Sequence, residues 1–435
     1  MAPARFKLPD PAVLWTMAGR VASAIGGLAA IPLVISCLSQ QEQGLFYVFA
    51  SLLAVQTVAE LGFSTVAIQR LSAAVSRADG TEGGLGGIAA LLRLTLRWYL
   101  WSSTALLLIL LPGGWLFLDL FVSGMPPDGW SGPWLLLAST TCFWLLASGW
   151  SVAGEGLGRI AAATRARAVG AIVRSALLCL LLVLDAGLWA PGLATLAGMA
   201  ALLVALLPEP ARALRRALAG TGGEPVRFRR DIWPFQWRIA LSWVSGFFIY
   251  QFMVLAVAAG IGTVAAGQFG VAQAVAAGIG SIASSALSPR QATWAALAAV
   301  RDFAALDASF RASLRTAVVL ATLGSLAAFA VAWAVSSWHQ DMAARLPDLA
   351  TWALLLLAPV ANQYVTAAAT YLRAHGREPF LPASIIFALT MLLLSIPASH
   401  LGLAVLAGVY LAATLLFGCA WGWRLMRIAR SSWHA

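Results

Sequence analysis

Three residues of one apolar stretch have the types and spacing to do chemistry: Gln56, Glu60 and Ser64 recur every four positions. On a helix that spacing sets all three along one face. An ionised carboxylate deep in a membrane helix costs at least about 2.5 kcal/mol, so Glu60 must meet water, a cation or an arginine, or hold a proton. Two readings stand side by side: a protonated glutamate bridging helices, or a cavity group coupling transport to a proton or Na+.

Three arginines pose the complementary question. Arg20 and Arg238 stand at the starts of two apolar runs, followed by small polar strips, Ser23 and Gly27 in one case and Ser242 and Ser245 in the other. Snorkelling to the interface accounts for both. An anion site accounts for them equally: two matched helices presenting cations to one cavity suit a diphosphate. Arg174 lies about ten residues inside its run, too deep to snorkel easily, so it is expected to pair with an acid such as Glu60 or to face the cavity. Gln251, Gln273, Asn362, Gln363 and Tyr364 suit sugar hydroxyls and helix packing alike.

The elements that position these groups are membrane helices. The chain has 435 residues, 61% of them hydrophobic and 10% charged, with a mean hydropathy of +0.84. A soluble domain carries about 25% charged residues. A spanning helix needs about 20 apolar residues. Twelve such runs are marked, over 14–38, 45–69, 91–118, 132–154, 160–184, 188–207, 232–259, 263–288, 311–337, 350–371, 379–398 and 402–423. The fold class expected is therefore all-α and integral to the membrane, with about twelve transmembrane helices in two six-helix bundles around a central cavity.

Of the 28 lysines and arginines, all but Arg174 and Arg345 fall at or between the ends of alternate gaps. By the positive-inside rule this places both termini in the cytoplasm. The net charge of +11 is then a topological signal, and no soluble domain exists to bind nucleic acid. No cleavable signal peptide is expected, because the first run is too long and lacks a clear cleavage site. Cys37, Cys142, Cys179 and Cys419 are scattered through separate runs, which fits neither a disulfide framework nor a metal site. Tryptophans near run ends read as an interfacial belt, and Pro32 and Pro359 as bends.

A polar stretch over 208–230, with Gly220, Gly222, Gly223 and Pro225, separates residues 1–207 from 231–435. Each part holds six runs. Arg20-Val21-Ala22 matches Arg238-Ile239-Ala240, and Gly44-Leu45-Phe46 matches Gly267-Gln268-Phe269. Because six is even, such halves form a parallel repeat about an axis along the membrane normal. The largest gaps on the opposite side, Leu120 to Ser131 and Trp338 to Leu349, are too short for the catalytic loop of a membrane enzyme. The sequence has no phosphate loop for ATP hydrolysis. Residues 294–313 pattern as an amphipathic helix lying on the membrane surface.

Several stretches resemble the bacterial polysaccharide (O-antigen-type) flippases. They are Gln43-Gly44-Leu45-Phe46-Tyr47, Glu60-Leu61-Gly62-Phe63, Trp233-Pro234-Phe235-Gln236-Trp237-Arg238, and Tyr371-Leu372-Arg373-Ala374-His375 followed by Glu378-Pro379-Phe380. That family shares a superfamily with multidrug and toxin extruders and lipid II flippases. The resemblance implies two six-helix bundles that move an undecaprenyl-diphosphate-linked oligosaccharide across the bacterial inner membrane by alternating access. It also implies membrane lipids and the polysaccharide polymerase machinery as partners, no enzyme activity, and no resident cofactor or metal. Two alternatives remain: a cation-coupled multidrug exporter of the same superfamily, and a polytopic enzyme acting on lipid-linked sugars.

Overall fold

A computed structural model describes residues 11–77, 82–122, 129–206, 215, 217–219, 233–287, 290–375 and 380–433. Most of the expected linker over 208–230 lies outside the described residues. The helices are α1 (Pro11–Cys37), α2 (Gln40–Leu53), α3 (Val55–Glu60), α4 (Phe63–Arg77), α5 (Glu82–Phe121), α6 (Ser131–Gly156), α7 (Ile160–Val183) and α8 (Trp189–Leu206). There follow α9 (Trp233–Tyr250), α10 (Phe252–Gly260), α11 (Thr263–Ser284), α12 (Arg290–Ala299), α13 (Phe303–Trp338), α14 (Gln340–Ala343) and α15 (Leu349–Ala374). The last are α16 (Leu381–His400), α17 (Leu403–Ala413), a π-helical segment (Thr414–Ala420) and α18 (Trp421–Trp433). The chain is an all-α, multi-pass membrane protein: among the described residues eleven stretches are long and apolar enough to cross a bilayer, or twelve when α9 and α10, bent by 43°, count as one span.

The prolines are not where the helices break. Pro32 lies inside an uninterrupted α1 and Pro359 inside an uninterrupted α15. The second span breaks instead at Leu61 and Gly62, both with positive φ (52° and 65°), and the seventh at Gln251. Each break frees a backbone carbonyl, which in lipid must find a new donor. A glutamine side chain supplies it in both cases. Gln236 donates its amide to the Leu61 carbonyl at 2.6 Å, and Gln273 donates to that of Tyr250.

Two compact units gather these helices. The first comprises residues 1–30, 55–115 and 129–240. Here α1 packs on α7 through Gly19 against Ala168 and Gly26 against Ser175, while α7 and α8 meet at Gly170 and Gly198. Contact through glycine and alanine is how helices associate in lipid, where no hydrophobic force drives them together.

The second unit comprises residues 31–54, 116–128 and 241–435. In it α2 crosses α11 at Gly44 and Gly267, so the two matched motifs touch each other: a β-carbon on Gly267 would lie 3.0 Å from the Gly44 Cα. At the arginine-bearing ends, α12 and α13 close over α15 and α18. Trp294 is fully buried there with Leu306, Phe310 and Tyr371, and its Nε1 donates to Ser309 at 3.0 Å. Asp307 accepts from the Tyr371 hydroxyl at 2.7 Å and ion-pairs with Arg430. The expected surface helix over 294–313 is thus two elements. Its first part, α12, packs Trp294, Leu297 and Ala298 inward and leaves Arg290, Gln291, Thr293, Ala296 and Ala299 exposed, and after the Arg301 turn (φ 58°) the remainder is continuous with the membrane span.

Candidate functional site

The second unit contains a cavity of about 580 Å³ walled by α2, α11, α15, α17 and the α9–α10 break. Four of the five residues expected to suit sugar hydroxyls line it: Gln251, Gln273, Asn362 and Gln363. Tyr364 does not join them. Successive residues on a helix are rotated by about 100°, which turns its ring toward a separate apolar groove.

The cavity wall is mostly apolar and carries no charged side chain, with amides and hydroxyls set into it. Asn362 donates to the Tyr410 hydroxyl at 3.1 Å, and the Ser284 hydroxyl donates to Gln363 Oε1 at 3.2 Å. Gln363 in turn donates to the Pro359 carbonyl at 3.1 Å. Two buried polar atoms at the wall have no partner among the described residues, the Tyr47 hydroxyl and Gln273 Oε1. Orphan polar atoms are costly unless something polar fills the space beside them. No carboxylate, arginine or lysine lines this cavity. Such a wall can hydrogen-bond a neutral, hydroxyl-rich group and offers a cation no countercharge.

The first unit holds the charged candidates. Glu60 ends α3, and Oε1 accepts from the Tyr99 hydroxyl at 2.7 Å. Ser64 also lies within hydrogen-bonding reach of that hydroxyl. The break at Leu61 and Gly62 means that Gln56, Glu60 and Ser64 do not share one helical face; Gln56 and Glu60 lie on α3 and Ser64 on α4. Tyr99, not regular spacing, reunites Glu60 with Ser64.

Arg174 does not pair with Glu60. Its guanidinium lies 5.4 Å from the centroid of the Trp144 ring, and its stem packs beside Gly198. Among the described residues no carboxylate is within ion-pair distance of it. Arg20 is exposed, and Arg238 is exposed with its guanidinium 5.4 Å from the Trp237 centroid. Arg167, by contrast, pairs with Glu155 at 2.5 Å. Among the described residues, no group of three His, Cys, Asp or Glu side chains is placed to hold a metal ion.

Spacing missed several of these groups. Tyr99, Tyr47, Tyr410 and Gln236 each lie on a helix whose neighbours cannot be inferred from periodicity. Gln236 is fully buried, and its amide donates to the Leu61 carbonyl. Gln236→Leu, close in volume, is expected to leave that carbonyl unsatisfied and cost about 1–3 kcal/mol. Thermal unfolding of the purified protein in detergent checks this, and a melting temperature equal to the parent's contradicts it.

No protein-family model matches this sequence, and no curated protein matches it. Solved structures do share its fold. A multidrug-resistance MATE-family transporter of the MOP superfamily, in an inward-facing conformation, superposes with a TM-score of 0.61 at 15% identity, over 99% of this chain and 98% of that one. The lipid II flippase MurJ, in an inward closed conformation, does so with a TM-score of 0.66 at 9% identity, over 96% and 87%. A MOP-superfamily transporter from Pyrococcus furiosus, described as having a binding pocket of reversed polarity that suggests a different function, gives 0.56 at 16% identity, over 98% and 96%. The chain has the fold of MOP-superfamily transporters.

Proposed function

We propose that this protein is a flippase carrying a polyprenyl-diphosphate-linked oligosaccharide across the bacterial inner membrane by alternating access, with both termini in the cytoplasm. The observation that carries this reading is the set of uncharged amides, Gln251, Gln273, Asn362 and Gln363, that line one otherwise largely apolar cavity. A glycan with a diphosphate cannot cross about 30 Å of hydrocarbon unaided, whereas its polyprenyl tail can stay in lipid. The protein then needs to shield only the head. In this reading amides and hydroxyls meet the sugars, and Arg20, Arg174 and Arg238 attract the diphosphate. Glu60, hydrogen-bonded to Tyr99, is the group through which a proton or Na+ would couple. The polysaccharide polymerase machinery is the partner class that would consume the product.

A second reading, cation-coupled drug export, is favoured by Glu60 itself, a protonatable carboxylate in the first unit, and by the shared fold with a multidrug transporter. The two readings part in the cell. Deleting the gene is expected to leave complete lipid-linked repeat units facing the cytoplasm, measured by isolating lipid-linked glycans. Normal surface polysaccharide with heightened dye sensitivity would overturn the flippase reading. Arg174→Ala is expected to lower surface glycan at unchanged protein abundance; a fall in abundance alone would make that arginine a packing residue.

A further inference from the structure

The second unit has another hollow, a groove of about 650 Å³ between α13, α15, the π-helical segment and α18. Its lining is apolar apart from Tyr364 and Cys419, and Tyr364 and Trp423 on its flanks are about half exposed. The groove therefore opens outward. It exists because the π-helical segment presents small residues where larger ones would close it: a β-carbon on Gly418 would lie 2.7 Å from Val365. π-Helical turns of this kind are rare and concentrate at functional sites.

Length and charge both specify an occupant. Along α15 the groove runs from Leu357 to Ala368, an advance of about 16 Å at 1.5 Å per residue. That is close to half of a hydrocarbon core about 30 Å thick, the depth of a single leaflet. Its lower end is the arginine-rich end of these helices, which the charge pattern assigns to the cytoplasm. One turn below the groove on α18, exposed Arg427 sets its guanidinium 5.1 Å from the centroid of the groove-lining Trp423 ring. Exposed Arg311 lies three residues before groove-lining Leu314, toward the same end of α13. Arg430, their neighbour, is already taken by Asp307.

We propose that this groove is a binding site for an anionic phospholipid of the cytoplasmic leaflet, with an acyl chain between α15 and the π-helical segment and its phosphate held by Arg427 and Arg311. The site does not depend on what the protein transports, so it stands or falls separately from the flippase reading. Each arginine near a membrane surface favours an anionic lipid roughly fivefold, so two give a preference on the order of thirty-fold over a zwitterionic lipid.

The full chain in nanodiscs, labelled with a trace of diazirine-bearing phosphatidylglycerol, is expected to crosslink within residues 415–426. Unlabelled phosphatidylglycerol should compete about thirty-fold better than phosphatidylcholine. Arg311→Gln with Arg427→Gln, both exposed positions, should abolish that preference. Ala420→Phe, which fills the groove from an exposed position, should abolish the crosslink itself. Equal competition by phosphatidylcholine, undiminished labelling of Ala420→Phe, or displacement by undecaprenyl phosphate where phosphatidylglycerol is without effect would each overturn the assignment.

Discussion

Replacing Arg345 with glutamine is expected to destabilise the fold by about 3–5 kcal/mol and to open the end of α1. Its guanidinium donates to the carbonyls of Ile35 (2.7 Å) and Leu38, at the C-terminus of a helix with no basic residue in its own last turn. Hydrogen bonds from a charged donor contribute about 1.5–3 kcal/mol each, and a cation at that end also offsets the partial negative charge of the helix dipole. The backbone around Arg345 is gripped in return. Gln43 donates to the Arg345 carbonyl at 3.0 Å and Gln268 to that of Ala344 at 2.9 Å. An arginine on the side that otherwise lacks basic residues opposes the topological bias, and this clasp is what it supplies there.

Cys37 reports the opening, since it lies between the two carbonyls that Arg345 holds and carries a free thiol. Arg345→Gln should lower the melting temperature and raise the maleimide-labelling rate of Cys37 at least about tenfold, because 1.4 kcal/mol of lost closure already gives that factor. Arg345→Lys keeps the charge but not the two-pronged geometry, so it should fall between parent and Gln. If Gln leaves both readouts at parental values, the clasp has no energetic weight.

The spans, eleven or twelve among the described residues, were legible in the sequence because about twenty apolar residues in a row admit few other readings. The breaks were not. Leu61 adopts φ 52° although leucine has no preference for it, so its conformation is imposed by tertiary contacts such as Gln236 at its carbonyl. The cavity amides were legible as a set because polar side chains in apolar runs are rare enough to notice. Tyr364 failed to join them because residue type carries no information about rotation around α15. Arg345 was visible as an exception in charge, yet its partner at Ile35 lies 310 positions away, beyond any local pattern. For the same reason the Arg174–Glu60 alternative did not form: Tyr99 and Trp144 occupy the two groups, and neither lies near its partner in sequence.

Gly44→Val is expected to cost about 3 kcal/mol or more, as overpacking of a close contact does when backbone stands in the way. A β-carbon at Gly44 would fall onto the Thr263 carbonyl group, 2.6 Å from its carbon, and backbone cannot rotate aside. The loss should appear as reduced folded protein after detergent extraction and a lower melting temperature. Gly246→Ala is the control within the same unit: nothing lies within 4 Å of its β-carbon position, so the change should be neutral or stabilise by about 0.5–1 kcal/mol. The partner of Gly44 makes the test sharper. Gly267 stands on the other side of the same crossing, and its β-carbon would meet the Gly44 backbone in turn. Gly44→Ala and Gly267→Ala then strain one and the same crossing. Once the first has pushed α2 and α11 apart, the second has less left to disturb, and the double variant should lose clearly less than the sum of the singles. Additive losses would mean that the two glycines serve separate contacts.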